Sequence, residues 1–308
     1  MSGFLTIGIV QTALELGLIY GLVALSLFIS FSILNICDLS TDGCYTLGGA
    51  VAAIMTIAGH PVAAIFAAMA AGILSGFCTA ILQTKFGVKD ILAGIIVNTA
   101  LYSVNLGVMG WKSNVAMVGK DTIFSLVDGW FSDSVFWENW HKLITLIIIT
   151  AITVVLVWWF LGTRLGLSIR ATGDSPAMVR ASSINTSFTI IVGMCIANAF
   201  TGLAGALSAQ YDKSIDITRG TGMVTVALAS LIIGEIFSKK GGMMKKVCFV
   251  IVGSCIYRFI ISIALRLSIP TEAFKLVSAL IVAIAICSHQ MKSDFKFSIR
   301  KHKMRRTE

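Results

Sequence analysis

The sequence has few charged residues, few prolines and few histidines. Of its 308 residues, 13% are charged and only 3 are proline, whereas 56% are hydrophobic. The mean hydropathy is +0.89. Because a soluble globular domain carries about 25% charged residues, this composition excludes an ordinary soluble enzyme. It predicts a polytopic membrane protein.

Motifs for ATP hydrolysis and for metal chemistry are also missing. No GxxxxGK[ST] string occurs, so this chain cannot hydrolyse ATP in the P-loop manner. The 4 His lie at the ends of apolar segments or in the C-terminal tail, and the 7 Cys show no metal-binding spacing. We therefore predict that the chain is not an enzyme and that it binds no metal or cofactor.

Seven apolar segments are candidates for membrane-crossing helices, which need about 20 apolar residues. They are 8–33, 62–83, 90–109, 142–162, 186–210, 247–267 and 273–288. Two further apolar segments, 44–58 and 220–237, are shorter and rich in Gly and Ala, which predicts broken or partly crossing helices. The predicted fold is therefore all-α and polytopic, with about nine transmembrane or partly crossing helices in a single domain over 1–308.

The polar connections alternate in charge. The loop 163–185 and the tail 289–308 are basic, whereas the loop 110–141 is mainly acidic. Because basic loops stay in the cytoplasm, we predict that 163–185 and the tail are cytoplasmic and that 110–141 is external. Membrane orientation explains the net charge of +9, so we predict no nucleic-acid partner. The tail is expected to contact anionic lipids.

A short helix is predicted inside the loop 163–185. Asp174 and Ser175 are good N-cap residues, Pro176 fits the first helical position, and the residues up to Ala181 can form one or two turns. The arginines of this loop have no balancing Glu. We therefore predict a basic, exposed helix, whose partner the residues alone do not identify.

Two similar passages each lead into one of the short apolar segments. Asp38-Leu39-Ser40-Thr41 precedes the first, and Asp216-Ile217-Thr218-Arg219 precedes the second, at an offset of 178 residues. With the topology above, the first passage lies on the cytoplasmic side and the second on the outer side. This is typical of an inverted repeat whose discontinuous helices frame a transport path. Alternatively, these side chains only cap helices.

Polar and small residues within the apolar regions are candidates for the path, because intramembrane ionisable groups are costly and suggest function. The candidates are Glu15, Asp38, Thr41, Asp42, Gly48, Gly49, Asn98, Asn198, Asp216 and Thr218. The two glycines are expected to leave room for a solute. The asparagines could instead make interhelical hydrogen bonds. Glu15 could pair with Arg258, and Glu235 is interpreted as a membrane-boundary residue.

Four strings carry a family resemblance over nearly the whole chain. They are LIYGLVALSLFISFSILNICDLSTDGCYTLGGAVAAI, SIRATGDSPAMVRASSIN, ALASLIIGEIF and VGSCIYRFIISIALRLSIPTEAFKLVSALIVAIAI. In these strings the chain resembles the permease subunits of ABC importers of the branched-chain amino acid and ribose type. It is most similar to the group labelled tryptophan/tyrosine permeases, whose first motif ends in Asp-Gly-Ser. This chain has Cys44 in place of that serine.

The resemblance implies a type II ABC importer fold and several partners. These are a second copy of the subunit, cytoplasmic ATPase subunits that bind ATP and Mg, and an external solute-binding protein. In such importers a cytoplasmic coupling helix docks into the ATPase. The residues that match it here are Arg170, Gly173, Asp174, Pro176, Met178, Arg180 and Ala181.

The solute implied is an amino acid, with the aromatic type favoured, imported across a bacterial cell membrane. We expect its charged groups to meet the positive N-terminal ends of the two short helices. Sugars and nucleosides are alternative solutes. An alternative mechanism is a secondary transporter that works without an ATPase.

Overall fold

The computed structural model describes residues 7–129, 135–238 and 242–266, together with 280 and 283. Eleven α-helices and one π-helix account for most of the described chain. They are α1 (Ile7–Leu27), continued by the π-helix (Phe28–Ile33), α2 (Thr41–Ile57), α3 (Pro61–Thr84), α4 (Asp90–Val108), α5 (Ile123–Asp128), α6 (Val135–Gly162), α7 (Arg164–Asp174), α8 (Pro176–Ala181), α9 (Thr186–Asp212), α10 (Met223–Phe237) and α11 (Met243–Arg266). Two short strands are β1 (Asn114–Ala116) and β2 (Ser214–Asp216).

Six of these helices are long and apolar enough to cross a membrane. They are Gly8–Ile33, Pro61–Thr84, Asp90–Val108, Trp140–Gly162, Thr186–Asp212 and Met243–Ala264. The predicted all-α, polytopic fold is therefore confirmed. The two predicted short helices are also present, as α2 with 17 residues and α10 with 15. The predicted segment 273–288 lies almost wholly outside the described residues, and the tail lies outside them entirely.

The described helices form two series with the same pattern. In the first series, α1 with its π-helix is long, α2 is short and α3 is long; in the second, α9, α10 and α11 repeat this order. Asp38 and Asp216 are separated by 178 residues. Nearly the same separation is found between the first residues of α1 and α9, of α2 and α10, and of α3 and α11. The sequence similarity therefore extends to whole elements.

The corresponding helices α1 and α9 run antiparallel. The Thr201 hydroxyl donates to Ser26 Oγ at 2.8 Å, and the Tyr211 hydroxyl donates to the Glu15 carboxylate at 2.7 Å. Later residues of α9 thus meet earlier residues of α1. An inverted repeat requires this arrangement.

The two series interlock. Helix α9 packs against α2 and α3, while α1 packs against α10 and α11. Glycines allow the closest approaches: a Cβ atom on Gly48 would meet the backbone of Gly202, and one on Gly205 would meet the Tyr45 carbonyl. Small residues bring helix backbones together in this way inside membranes. Neither series is therefore an independent unit.

The loop between α4 and α6 is fastened to the connection between α9 and α10. Strands β1 and β2 pair antiparallel, with Asn114 opposite Asp216. The Ile123 backbone N–H donates to Gln210 Oε1 at 2.9 Å, and Gln210 Nε2 donates to the Pro61 carbonyl at 2.9 Å. The sequence predicted neither strand. The β1–β2 pair therefore connects the predicted external loop with the segment that leads into α10, the second short helix.

Candidate translocation path and coupling loop

Asp38 lies buried in the turn between the π-helix and α2. Its Oδ1 accepts from the Ser40 backbone N–H at 2.8 Å and from the Ser40 hydroxyl at 2.6 Å. Its Oδ2 accepts from Asn198 Nδ2, on α9, at 2.7 Å. Asp38 therefore shapes the start of α2 and also joins the first series of helices to the second. The amide of Asn198 is thus used in a hydrogen bond between α9 and the turn before α2.

Asp216 repeats the local geometry of Asp38 in the second series. Its Oδ1 accepts from the Thr218 backbone N–H at 2.8 Å and from the Thr218 hydroxyl at 2.6 Å. Among the described residues, the hydrogen bonds of its carboxylate go to Thr218 alone, and Asp216 is only half-buried. The two acidic turns are thus equivalent in local structure but differ in burial and in their links to other helices.

Asp42 places its carboxylate at the N-terminus of α10. Its Oδ2 accepts from the Gly222 backbone N–H and its Oδ1 from that of Val224, both at 2.9 Å. Close by, Thr46 Oγ1 accepts from the Gly220 backbone N–H at 3.1 Å. The two short helices therefore meet at their N-terminal ends. At α10, Asp42 already accepts from two of the backbone N–H groups that were expected to meet a solute.

Gly48 and Gly49 lie within packed helix contacts. Both are buried, Gly48 against Gly202 and Gly49 against Ile215, whose Cδ1 would lie 2.7 Å from an added Cβ atom. The expectation that these glycines leave room for a solute is therefore corrected. Neighbouring atoms of α9 and β2 occupy the space that a side chain at either position would need.

Two further candidates lie near the first turn of α2. The Thr41 hydroxyl donates to the Asp38 carbonyl at 3.1 Å. Asn98 Oδ1 would lie 2.7 Å from a Cβ atom on Gly43, and Asn105 Nδ2 donates to the Gly43 carbonyl at 3.1 Å. Thr41 therefore stabilises the turn, while the asparagines of α4 surround the start of α2.

Glu15 and Arg258 have separate partners. Glu15 is buried and accepts from Gln11 Nε2 at 3.0 Å and from the Tyr211 hydroxyl at 2.7 Å. The Arg258 guanidinium carbon lies 4.1 Å from the centroid of the Tyr20 ring. Neither residue contributes to the ion pairs found among the described residues. The structure therefore does not join Glu15 to Arg258, and each side chain instead contacts a tyrosine.

A charged cluster at the end of α9 was missed from the sequence. Arg219 forms an ion pair with Asp212, and the Lys142 ammonium lies 5.3 Å from the centroid of the Tyr211 ring. The opposite charges of Asp212 and Arg219 across the short α9–α10 connection were the available signal. Together with Glu15, these residues form a polar region at the same end of α9 as the β1–β2 pair.

Cys37 lies in the turn that also holds Asp38. Burial raises the pKa of its thiol, and the carboxylates of Asp38 and Asp90 raise it further. Since the thiolate is the reactive form of cysteine, the Cys37 side chain is a poor nucleophile near neutral pH.

Helices α7 and α8 form the loop that was predicted to contain a short helix. Ser175 caps α8 by accepting from the Met178 backbone N–H at 3.5 Å, and Pro176 occupies the first turn. Asp174 is the last residue of α7 and not the cap. Thr163 caps α7 by accepting from the Gly166 backbone N–H. The predicted start of the short helix is confirmed.

Helix α8 presents most of its side chains outward. Met178 is 70% exposed, and Pro176, Arg180 and Ala181 are also exposed. Only Val179 is buried, at 3% exposure. Helix α8 therefore has one buried side chain, and its exposed side chains can contact another molecule.

Arg170 and Gly173 lie on the inner side of the same loop. A Cβ atom on Gly173 would collide with the Ile33 carbonyl and would lie 3.0 Å from Leu34 Cα. Arg170 is half-buried and lines a cavity between the π-helix, α7, α10 and α11. These two residues therefore connect the loop to the membrane helices, while the residues of α8 form its exposed surface.

Comparison with known proteins identifies the family. Residues 9–286 match the branched-chain amino acid transport system / permease component family. The chain is 31% identical to a tyrosine transport system permease protein of Clostridioides difficile (strain R20291), over 96% of this chain and 94% of that protein. It is 26% identical to the ribose import permease protein of Escherichia coli (strain K12), over 81% of this chain and 75% of that protein.

A guanosine ABC transporter permease protein of Bacillus subtilis (strain 168) is 24% identical over 76% of this chain and 66% of its own length. No solved structure matches the chain. Proteins of this kind are transport components, not enzymes, and they imply ATPase and solute-binding partners. The chain therefore belongs to the branched-chain amino acid transport permease family and is the membrane-embedded permease subunit of an ABC transporter.

Proposed function

We propose that this subunit forms the translocation path of an ATP-driven importer for an amino acid, with an aromatic amino acid favoured. The observation that carries this proposal is the similarity to a tyrosine transport permease over 96% of the chain. A second copy of the subunit completes the membrane unit. ATP and Mg bind to separate ATPase subunits, and an external binding protein delivers the solute.

In the proposed orientation the α7–α8 loop and the C-terminus face the cytoplasm of a bacterial cell. Support comes from the basic residues Arg164, Arg170 and Arg180 in this loop and from Lys245 and Lys246 at the start of α11. Basic connections are retained on the cytoplasmic side of membranes. Lipid contacts of the basic tail belong to the same proposal.

Helix α8 is proposed to dock into the ATPase. Its exposed residues supply the contact surface, and the close contact of Gly173 with the Ile33 carbonyl supplies a connection from α7 to the π-helix. Irregular π-turns of this kind often lie at functional sites. When ATP closes the ATPase subunits, displacement of α8 is transmitted through α7 to α1 and then to α10, against which α1 packs.

The junction of α2 and α10 is proposed as the part of the path that responds. Broken helices that meet within a membrane are frequent sites of solute passage. Asp42 holds the two N-terminal ends together, while Asp38 and Asp216 shape the turns that lead into them. Movement of α1 relative to α9 would change the angle between the short helices and so open or close the path.

A sugar or a nucleoside is the second candidate solute, because relatives include ribose and guanosine permeases. The purified external binding protein distinguishes these classes when it is titrated calorimetrically with tyrosine, phenylalanine, ribose and guanosine. We expect saturable heat with the aromatic amino acids only. Binding of ribose or guanosine, with none of tyrosine, would overturn the amino-acid assignment and leave the permease assignment intact.

A further inference from the structure

A cavity of about 480 Å³ lies beside the α7–α8 loop, between the π-helix, α7, α10 and α11. Sites for small molecules commonly enclose about 300–1,000 Å³, so the volume suits a molecule of amino-acid size or a lipid headgroup. The polar residues that line it are Ser32, Arg170, Asp174, Glu235, Ser238 and Lys246. This cavity is separate from the junction of the two short helices.

The four charged residues of the cavity are two cations and two anions that do not pair with each other. The ion pairs found among the described residues, within 4.0 Å, include none of Arg170, Asp174, Glu235 and Lys246. Glu235 accepts a hydrogen bond from the Ser32 hydroxyl at 2.6 Å. Arg170 is half-buried, whereas Asp174, Glu235 and Lys246 are exposed. Opposite charges therefore line one space without neutralising each other, and a ligand that carries both charges could pair with all four side chains.

We propose that this cavity binds a small zwitterion. Arg170 and Lys246 supply donors for an anionic group, since both side chains donate and neither accepts. Asp174 and Glu235 supply acceptors for an ammonium group. A simple anion would meet two carboxylates and a simple cation would meet two basic groups, whereas a molecule that carries both charges complements both pairs.

Two sources provide this ligand chemistry. One is a free amino acid, and the other is the ethanolamine phosphate headgroup of a membrane phospholipid. The zwitterion site does not depend on the identity of the imported solute, because it is inferred from the charges of the cavity. Its failure would therefore leave the proposed function untouched.

The first test is a titration of the full-length permease, purified in detergent, with three matched compounds. They are L-tyrosine, tyramine, which lacks the carboxylate, and 3-(4-hydroxyphenyl)propionate, which lacks the amine. The second test is native mass spectrometry of the same protein with phosphatidylethanolamine and phosphatidylglycerol. We expect the zwitterion to be preferred in at least one test: tyrosine over both analogues identifies a free amino acid, and phosphatidylethanolamine over phosphatidylglycerol identifies a lipid.

The variants Arg170→Gln, Lys246→Gln and Glu235→Gln should each lower the affinity for the preferred ligand by about tenfold or more, because each removes a charge-assisted hydrogen bond. Lys245→Gln is the matched control, since Lys245 is adjacent to Lys246 in sequence but does not line the cavity. Size-exclusion elution and melting temperature show whether each variant is folded. Because the three variants lie on different helices, the conclusion does not depend on any single variant that fails to fold. Absence of a zwitterion preference in both tests, or unchanged affinity in folded variants, would overturn the proposal.

Discussion

At Asp42, a single carboxylate on α2 satisfies two backbone N–H groups at the start of α10. The first N–H groups of a helix have no partner within their own helix. In a membrane they cannot rely on water, so an unsatisfied group is costly. Asp42 therefore stabilises α10 and fixes how the two short helices meet.

Asp42→Asn is expected to lower the stability of the folded subunit. One side-chain oxygen remains as an acceptor, but the new amide group faces a backbone N–H, and the cost should be about 1–2 kcal/mol. The measurement is the thermal unfolding midpoint of the purified permease. Asp121→Asn, on the exposed part of the α4–α6 loop, serves as the control, and an Asp42→Asn midpoint equal to the wild type would contradict this role.

The sequence identified the pair Asp38 and Asp216 because the cue is local. An acidic residue followed two positions later by a hydroxyl side chain forms the same turn in both places. The sequence did not identify Asn198 as the partner of Asp38, since 160 residues separate them. Asp42 was predicted to be a path residue, but its bond to the start of α10 depends on how the short helices pack.

Among the elements, α8 was the most predictable and the packing of α2 was the least. The cap Ser175 and the first-turn residue Pro176 act within their own helix, so their pattern is readable. Gly48 acts through its contact with Gly202, which no local pattern reveals. Strands β1 and β2 have only three residues each, too few for a period of two to be recognised.

Gly48→Ala is expected to destabilise the fold by about 1–3 kcal/mol, because the new methyl group would overlap the Gly202 backbone and force α2 away from α9. Gly107→Ala is the matched control, since nothing lies within 4 Å of a Cβ atom at Gly107 on α4. That change should leave the unfolding midpoint equal or slightly raised. Equal midpoints for the two variants would contradict the close packing of α2 on α9.

The double variant Met178→Glu/Arg180→Glu is expected to reduce ATP-dependent uptake at least about tenfold if α8 is the ATPase contact. Both side chains are exposed, so insertion and melting temperature should not change. Arg164→Glu, at the exposed beginning of α7 in the same loop, is the control. Normal uptake by the folded double variant, with ATPase subunits still bound, would contradict the coupling assignment.

At the scale of the whole molecule, the interlocked repeat makes the two halves of the chain depend on each other. Helix α1 contacts α9, α10 and α11, and α9 contacts α2 and α3. The sequence predicted two related halves. It did not predict that the first helix of each half packs against the later helices of the other half. Hydropathy specifies which segments are buried in lipid, whereas the choice of neighbours depends on small-residue contacts and single hydrogen bonds between distant segments.

A disulfide cross-link tests the antiparallel arrangement of α1 and α9. In a cysteine-free background, Ser26→Cys with Thr201→Cys should oxidise readily, because the two hydroxyl oxygens they replace lie 2.8 Å apart. Cleavage of the α4–α6 loop, followed by non-reducing electrophoresis, would show whether the fragments remain joined. Ser26→Cys with Thr189→Cys, three turns away along α9, should not cross-link, and the reverse pattern would contradict the inverted repeat.

The most direct measurement for the central claim is uptake into proteoliposomes that contain this permease, its ATPase and its external binding protein. We predict uptake of radiolabelled tyrosine that requires ATP on the ATPase side, requires all three components and stops when the ATPase P-loop lysine is replaced. Uptake by the permease alone, driven by an ion gradient and indifferent to ATP, would contradict the assignment of this chain as an ABC importer permease.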